Sequence, residues 1–188
     1  MKKILTYIAG ATLLMPILAS CSSDDKDEDA GTIWDKYEEY REANLTWIAE
    51  QETRLNPDGT KYYERLQPAW NVNSYILIHW FNDREETAGN LVPLLTSSVR
   101  ARYIGRNYLG QGFDADSTSE NGTYFLVSQV VPGWQLALQN MHVGDSVEIV
   151  LPYNQAYGSS NPNTLIPPYS TLQFTMRLHD IPTLEVRP

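Results

Sequence analysis

The residues able to make or break bonds are few and scattered. His79, His142 and His179 show no metal-ligand spacing, and the single cysteine, Cys21, offers neither a disulfide nor a thiolate metal cage. No G-x-S-x-G elbow is present. Gly110-Gln111-Gly112 stands alone, without the strand-to-helix setting of a phosphate loop. Covalent hydrolysis and metal chemistry are therefore unsupported, and no cofactor is implied. A net charge of −9 also argues against nucleic acid as a partner, because that function needs a basic face to displace counterions. The C-terminal half is instead dense in aromatics and prolines: Val130-Val131-Pro132-Gly133-Trp134, Ala156-Tyr157-Gly158, Leu165-Ile166-Pro167-Pro168 and Ser170-Thr171-Leu172-Gln173-Phe174. Taken singly, each has a plain reading as packing. Phe174 lies on an alternating apolar face, and a tryptophan opening a helix is usually core.

The elements that must position these runs follow from periodicity. Residues 32–55 predict one amphipathic helix, with Thr32 as its cap and Asp35 completing a capping box. Ile33, Trp34, Tyr37, Tyr40, Asn44, Leu45 and Ile48 form its stripe, and Asn56-Pro57-Asp58-Gly59 ends it. The aromatic stripe is read as a face docking on the rest of the chain, which leaves a monomer; an oligomerisation arm is the other reading. From Lys61 the period becomes two. Lys61–Leu66, Ser74–Phe81, Val99–Tyr103, Ser146–Leu151 and Thr171–Leu178 predict strands, and Trp134–Met141 predicts a short helix. Strands joined by hairpins around one short helix give an antiparallel α+β domain.

Together the runs resemble the FKBP-type peptidyl-prolyl cis-trans isomerases. VVPGW, the Val143-Gly144-Asp145 turn, AYG, IPP and STLQF occur in family order, and Tyr103-Ile104-Gly105 and Gly112-Phe113-Asp114 match the family's first pocket segment. The resemblance covers residues 94–181 and is strongest from 130. It implies a bent antiparallel sheet wrapped around the helix that Trp134 opens. Trp134 would be the floor of a proline pocket, with Tyr103, Phe113, Val130, Val131, Ile166 and Phe174 as walls. The Val131 N–H and the Tyr157 hydroxyl would hold substrate carbonyls, with Asp114 at the rim. The implied activity is rotation of X-Pro bonds in polypeptides. The sequence departs from the family at Thr123, where an aromatic is usual, and in 116–121, where no arginine partners Asp114. Residues 158–164 lack the family's frequent histidine. These departures motivate a second reading, a proline-peptide-binding or chaperone-like protein with the same fold and no catalysis.

The N-terminus reads as an address and a tether. Residues 1–20 place Lys2 and Lys3 before an apolar run that ends in small residues, the order of a secretory signal. The run is interrupted by Gly10 and Pro16 and falls short of the ~20 residues needed to span a bilayer. Leu18-Ala19-Ser20-Cys21 resembles the bacterial lipoprotein box, which implies lipidation at Cys21. Residues 22–30 then carry five acids and one base, too charged to bury a core. This acidic stretch resembles the surface-export signal of Bacteroidetes lipoproteins. The expected organisation is a signal peptide (1–20), a tether (21–31), a helix (32–56) and an isomerase domain (60–188), lipid-anchored at the outer membrane on its periplasmic face or the cell surface.

Overall fold

A computed structural model describes residues 31–68, 71–116 and 122–182. The expected signal peptide, the expected lipidation site at Cys21 and the acidic run through residue 30 lie outside the described residues, as does the stretch 117–121.

One antiparallel sheet organises the chain. Its strands are β1 (Glu64–Leu66), β2 (Ile76–Trp80), β3 (Ser98–Asn107), β4 (Gly112–Ala115), β5 (Thr123–Leu126), β6 (Ser146–Leu151) and β7 (Leu172–Asp180). They run in the order β1-β2-β6-β7-β3-β4, and β5 also pairs with β3. The predicted alternation holds along the central strands. Val147, Ile149 and Leu151 of β6 and Leu172, Phe174, Met176 and Leu178 of β7 all point into the core. The helix α3 (Pro132–Leu138) lies against that inner face, with Ala137 and Leu138 fully buried. Pro132 sits in its first turn, where a missing N–H costs nothing.

Two expectations need correction. The strand expected at Lys61–Leu66 forms only over Glu64–Leu66, while Lys61 makes an isolated antiparallel bridge with Leu55. The helix expected over 32–55 is two pieces, α1 (Ile33–Lys36) and α2 (Glu38–Thr53), broken at Tyr37. The Thr32–Asp35 capping box is present on α1. Trp34, just before the break, is engaged outside the helix. Its carbonyl accepts from the Arg41 guanidinium at 2.7 Å, the same guanidinium lies 3.6 Å over its ring, and the ring meets Tyr169 edge-on at 5.1 Å.

The docking face also differs from the apolar stripe. Ile33, Trp34 and Leu45 are 40–50% exposed, and the buried residues of α2 are Arg41, Asn44 and Ile48. Periodicity counts greasy residues, whereas this helix is held largely by polar contacts. Asn44 Oδ1 accepts from the Thr171 N–H at 2.8 Å, Asn44 Nδ2 donates to the Tyr40 carbonyl, and Tyr40 and Ser170 share a hydroxyl bond. Ile48 adds a small apolar cluster with Tyr63, Leu77 and Val150 on the outer face of the sheet. That is why Val150 is buried although it points away from the main core.

The segment between β2 and β3 is anchored by a buried carboxylate. Asp145, in the turn before β6, accepts from Asn82 Nδ2, Thr87 Oγ1 and the His142 N–H, with Arg84 3.6 Å away. Burial alone would raise this carboxyl, but the bonds from Thr87, His142 and Asn82, with the Arg84 charge, hold it below its ordinary value.

Two predictions follow from these polar anchors. Asn44→Ala leaves the buried Thr171 N–H without its acceptor and should cost about 1–3 kcal/mol in urea unfolding. Asp145 releases its proton more readily folded than unfolded, so its stabilisation is present above the unfolded carboxyl value and lost as pH falls. Stability should decline below about pH 4, and Asp145→Asn should flatten that decline.

Candidate active site

Trp134 is the third residue of α3, and the helix start delivers its indole to the inner face of the sheet, 4% exposed. Three rings stand edge-on around it: Tyr103 from β3 at 5.1 Å, Phe125 from β5 at 5.3 Å and Phe174 from β7 at 5.3 Å. Such T-shaped pairs add about 0.5–1.5 kcal/mol each beyond area burial. Here they also fix the walls of a cleft of about 260 Å³.

Two glycines let these parts approach. A Cβ on Gly105 of β3 would come within 2.8 Å of the Phe113 and Phe174 rings. A Cβ on Gly133 would lie 2.5 Å from Leu151 Cδ2, so the helix could not sit as close to β6. Neither position needs an unusual backbone; both need the missing side chain.

The expected residues distribute as follows. Tyr103, Asp114, Val130, Val131, Trp134, Tyr157 and Phe174 line the cleft. Phe113 meets Phe174 edge-on at 5.6 Å and Ile166 is buried in the core; neither is among the residues that line the cleft. Phe125 and Gln129 do line it and were not among the expected site residues. The pairing of β5 on β3, with Val99 opposite Phe125, brings that ring beside Trp134, and no motif in the sequence marks it.

The polar groups of the cleft divide into bonded and free. The Tyr103 hydroxyl donates to Asp114 Oδ2 at 2.7 Å. Burial pushes the Tyr103 phenol far above its ordinary value, and the Asp114 hydrogen bond and charge add to the rise. Tyr157, 39% exposed, sits on the loop after the short 3-10 turn Tyr153–Gln155. Its phenol is also raised, by burial first and then by Asp114. Both tyrosines thus keep their protons through neutral and mildly basic pH. Among the described residues the Tyr157 hydroxyl, the Val131 N–H and the Trp134 Nε1 have no hydrogen-bond partner. The Val130 carbonyl is held by Gln135 Nε2 at 2.8 Å, which fixes the segment leading into α3. No group of three or more His, Cys, Asp or Glu side chains converges as a metal site among the described residues.

The site is thus an aromatic-floored cleft on the inner face of an antiparallel sheet, with the Tyr157 hydroxyl and the Val131 N–H as unbonded donors among the described residues. Residues 92–179 match the family profile described as FKBP-type peptidyl-prolyl cis-trans isomerase. The chain is 35% identical over 124 residues to the FKBP-type 22 kDa peptidyl-prolyl cis-trans isomerase of Escherichia coli, covering 66% of this chain and 60% of that protein. It is 36% identical over 86 residues to the outer membrane protein MIP of Legionella longbeachae, covering 46% of this chain and 37% of that one. It thus spans less than two thirds of either relative. The crystal structure of a peptidyl-prolyl cis-trans isomerase from Pseudomonas syringae superposes with a TM-score of 0.62 at 27% identity, over 77% of this chain and 94% of that one.

The close approach at Gly105 is testable. Gly105→Ala must displace Phe113 or Phe174, and should destabilise the chain by about 1–3 kcal/mol in urea unfolding.

Proposed function

We propose that this chain is a peptidyl-prolyl cis-trans isomerase that binds X-Pro segments of exported polypeptides in the aromatic cleft. The observation that carries the reading is the Trp134 floor, walled edge-on by Tyr103, Phe125 and Phe174, beside two free donors, the Tyr157 hydroxyl and the Val131 N–H.

The chemistry asks for little more. Rotation about a peptide bond breaks nothing covalent, yet amide resonance sets a barrier of roughly 18–20 kcal/mol. X-Pro exchange therefore takes on the order of tens to hundreds of seconds uncatalysed. The twisted amide has lost its resonance and carries a less polar carbonyl than the planar ground state. A cleft with an apolar aromatic lining favours the twisted form over the planar one, which is selective binding of the transition state. In this reading the proline ring rests on Trp134 between the walls. The Tyr157 hydroxyl and Val131 N–H donate to the carbonyls flanking the bond, so that rotation is confined to it. Asp114 holds the Tyr103 hydroxyl and so orients that wall.

The lipoprotein box at Cys21 supports tethering to the outer membrane, at the periplasmic face or the cell surface, where clients would be newly exported chains. A Cys21→Ser chain should fail to incorporate labelled palmitate in a bacterial host.

Activity is checked by proline-limited refolding of a test protein. The chain should accelerate the slow phase, Trp134→Ala should abolish the acceleration, and Tyr157→Phe should reduce it about two- to tenfold, the worth of one hydrogen bond. Since both cleft tyrosines stay protonated, the rate constant should be flat from about pH 6 to pH 9. Absence of acceleration at micromolar chain would overturn the catalytic reading, and tight proline-peptide binding without it would leave a binding protein.

A further inference from the structure

The outer face of the sheet carries an arrangement that the cleft does not use. Alternation along β3 and β7 turns Arg102, Ile104, Thr175 and Arg177 away from the core. Arg102 and Arg177 stand directly opposite each other in the ladder, and Ser146 of β6 continues the same row. Like charges directly opposite across strands are destabilising. Both arginines are exposed, and among the described residues neither guanidinium makes an ion pair or hydrogen bond. Such a pair is unexpected in a chain with 23 acids and 14 Lys and Arg.

The pair borders a groove of about 360 Å³. Ser146 and Thr175 supply hydroxyls beside it, and Phe81 and Ile104 supply apolar walls, 50% and 42% exposed. Asp116 closes one end, buried and with a bonding partner of its own, and the two guanidiniums outnumber it. His179, the next outward residue of β7, senses the same field. Burial lowers its imidazole, and the charges of Arg177 and Arg102 lower it further, against the pull of Asp116.

We propose that this groove is a second polypeptide-binding site, on the face of the sheet opposite the aromatic cleft, which takes a carboxylate side chain of an extended acidic segment between Arg102 and Arg177. Two guanidinium forks on adjacent strands can receive both oxygens of one carboxylate in charge-assisted bonds. The anion relieves the cross-strand repulsion that the empty groove carries. Phe81 and Ile104 give the occupant's neighbouring residues apolar surface to cover, which a free inorganic anion would leave bare. This site is independent of isomerase activity and does not depend on that reading.

The test titrates the full chain with a fluorescent peptide of alternating Glu and Leu at about 20 mM salt, where screening is weak. Parallel arms use its Lys-for-Glu counterpart, inorganic phosphate and phosphatidylglycerol vesicles. The acidic peptide should bind saturably and the basic one should not. The double variant R102Q/R177Q should weaken binding at least about tenfold, while R65Q, whose arginine is paired with Glu52 elsewhere, should leave it unchanged. Without peptide, the double variant should melt no lower than the parent, because a repulsion has been removed. Equal peptide binding by parent and double variant would overturn the proposal. So would a lower melting temperature, which would make the arginines structural. Phosphate or vesicles competing more strongly than the acidic peptide would assign the groove to a different anion.

Discussion

The structure depends on how closely α3 can be pressed against the inner face of the sheet. Trp134 is both the first large side chain of that helix and the centre of the aromatic cluster, so helix docking and cleft formation are one packing event. Gly133 permits the contact with Leu151, and Gly105 leaves room for the rings of Phe113 and Phe174 on β3. A cleft whose floor is itself core is rigid for the same reason the core is rigid: its rings cannot move without breaking several edge-to-face contacts at once. Rigidity of that kind is what the proposed isomerase reading asks of the cleft, which would have to accept a twisted amide without deforming around the planar one.

Polar anchoring supplies what the apolar core does not. Asn44 ties α2 to the entry of β7 through the Thr171 N–H, and Asp145 ties residues 82–87 to the turn before β6. Both groups are buried, and both are satisfied by several partners, which is the condition under which burial of a polar group stabilises a unique arrangement. The result is a helix fixed on the outer face through Tyr63, Leu77, Val150 and Thr171, away from the residues that line the cleft. Both faces of the sheet are thus put to use, one by α3 and the aromatic cleft, the other by α2 and the arginine-lined groove.

Much of the fold was legible in the sequence. Period-two alternation located the central strands because their two faces differ sharply in burial, and the capping box, the proline before Trp134 and the Asn56–Gly59 turn are local chemistry that acts within a few residues. Seven of the nine expected site residues line one cleft, brought there from β3, β4, α3, β7 and two loops. The misses share a cause. Phe125 reaches Trp134 through the pairing of β5 on β3, Phe113 packs edge-on against Phe174, and the helix docks through Arg41 and Asn44 rather than through its aromatics.

The sequence by itself determined the order of the elements, their inward and outward faces and the set of aromatic and small residues near the helix start. These follow from local propensity and spacing, which need no partner to be expressed. Only the tertiary structure decided which rings meet, which side of the sheet α2 covers, and that two arginines far apart in the chain stand opposite each other. Those outcomes depend on register between strands distant in sequence, and register is fixed by the packing of the whole sheet.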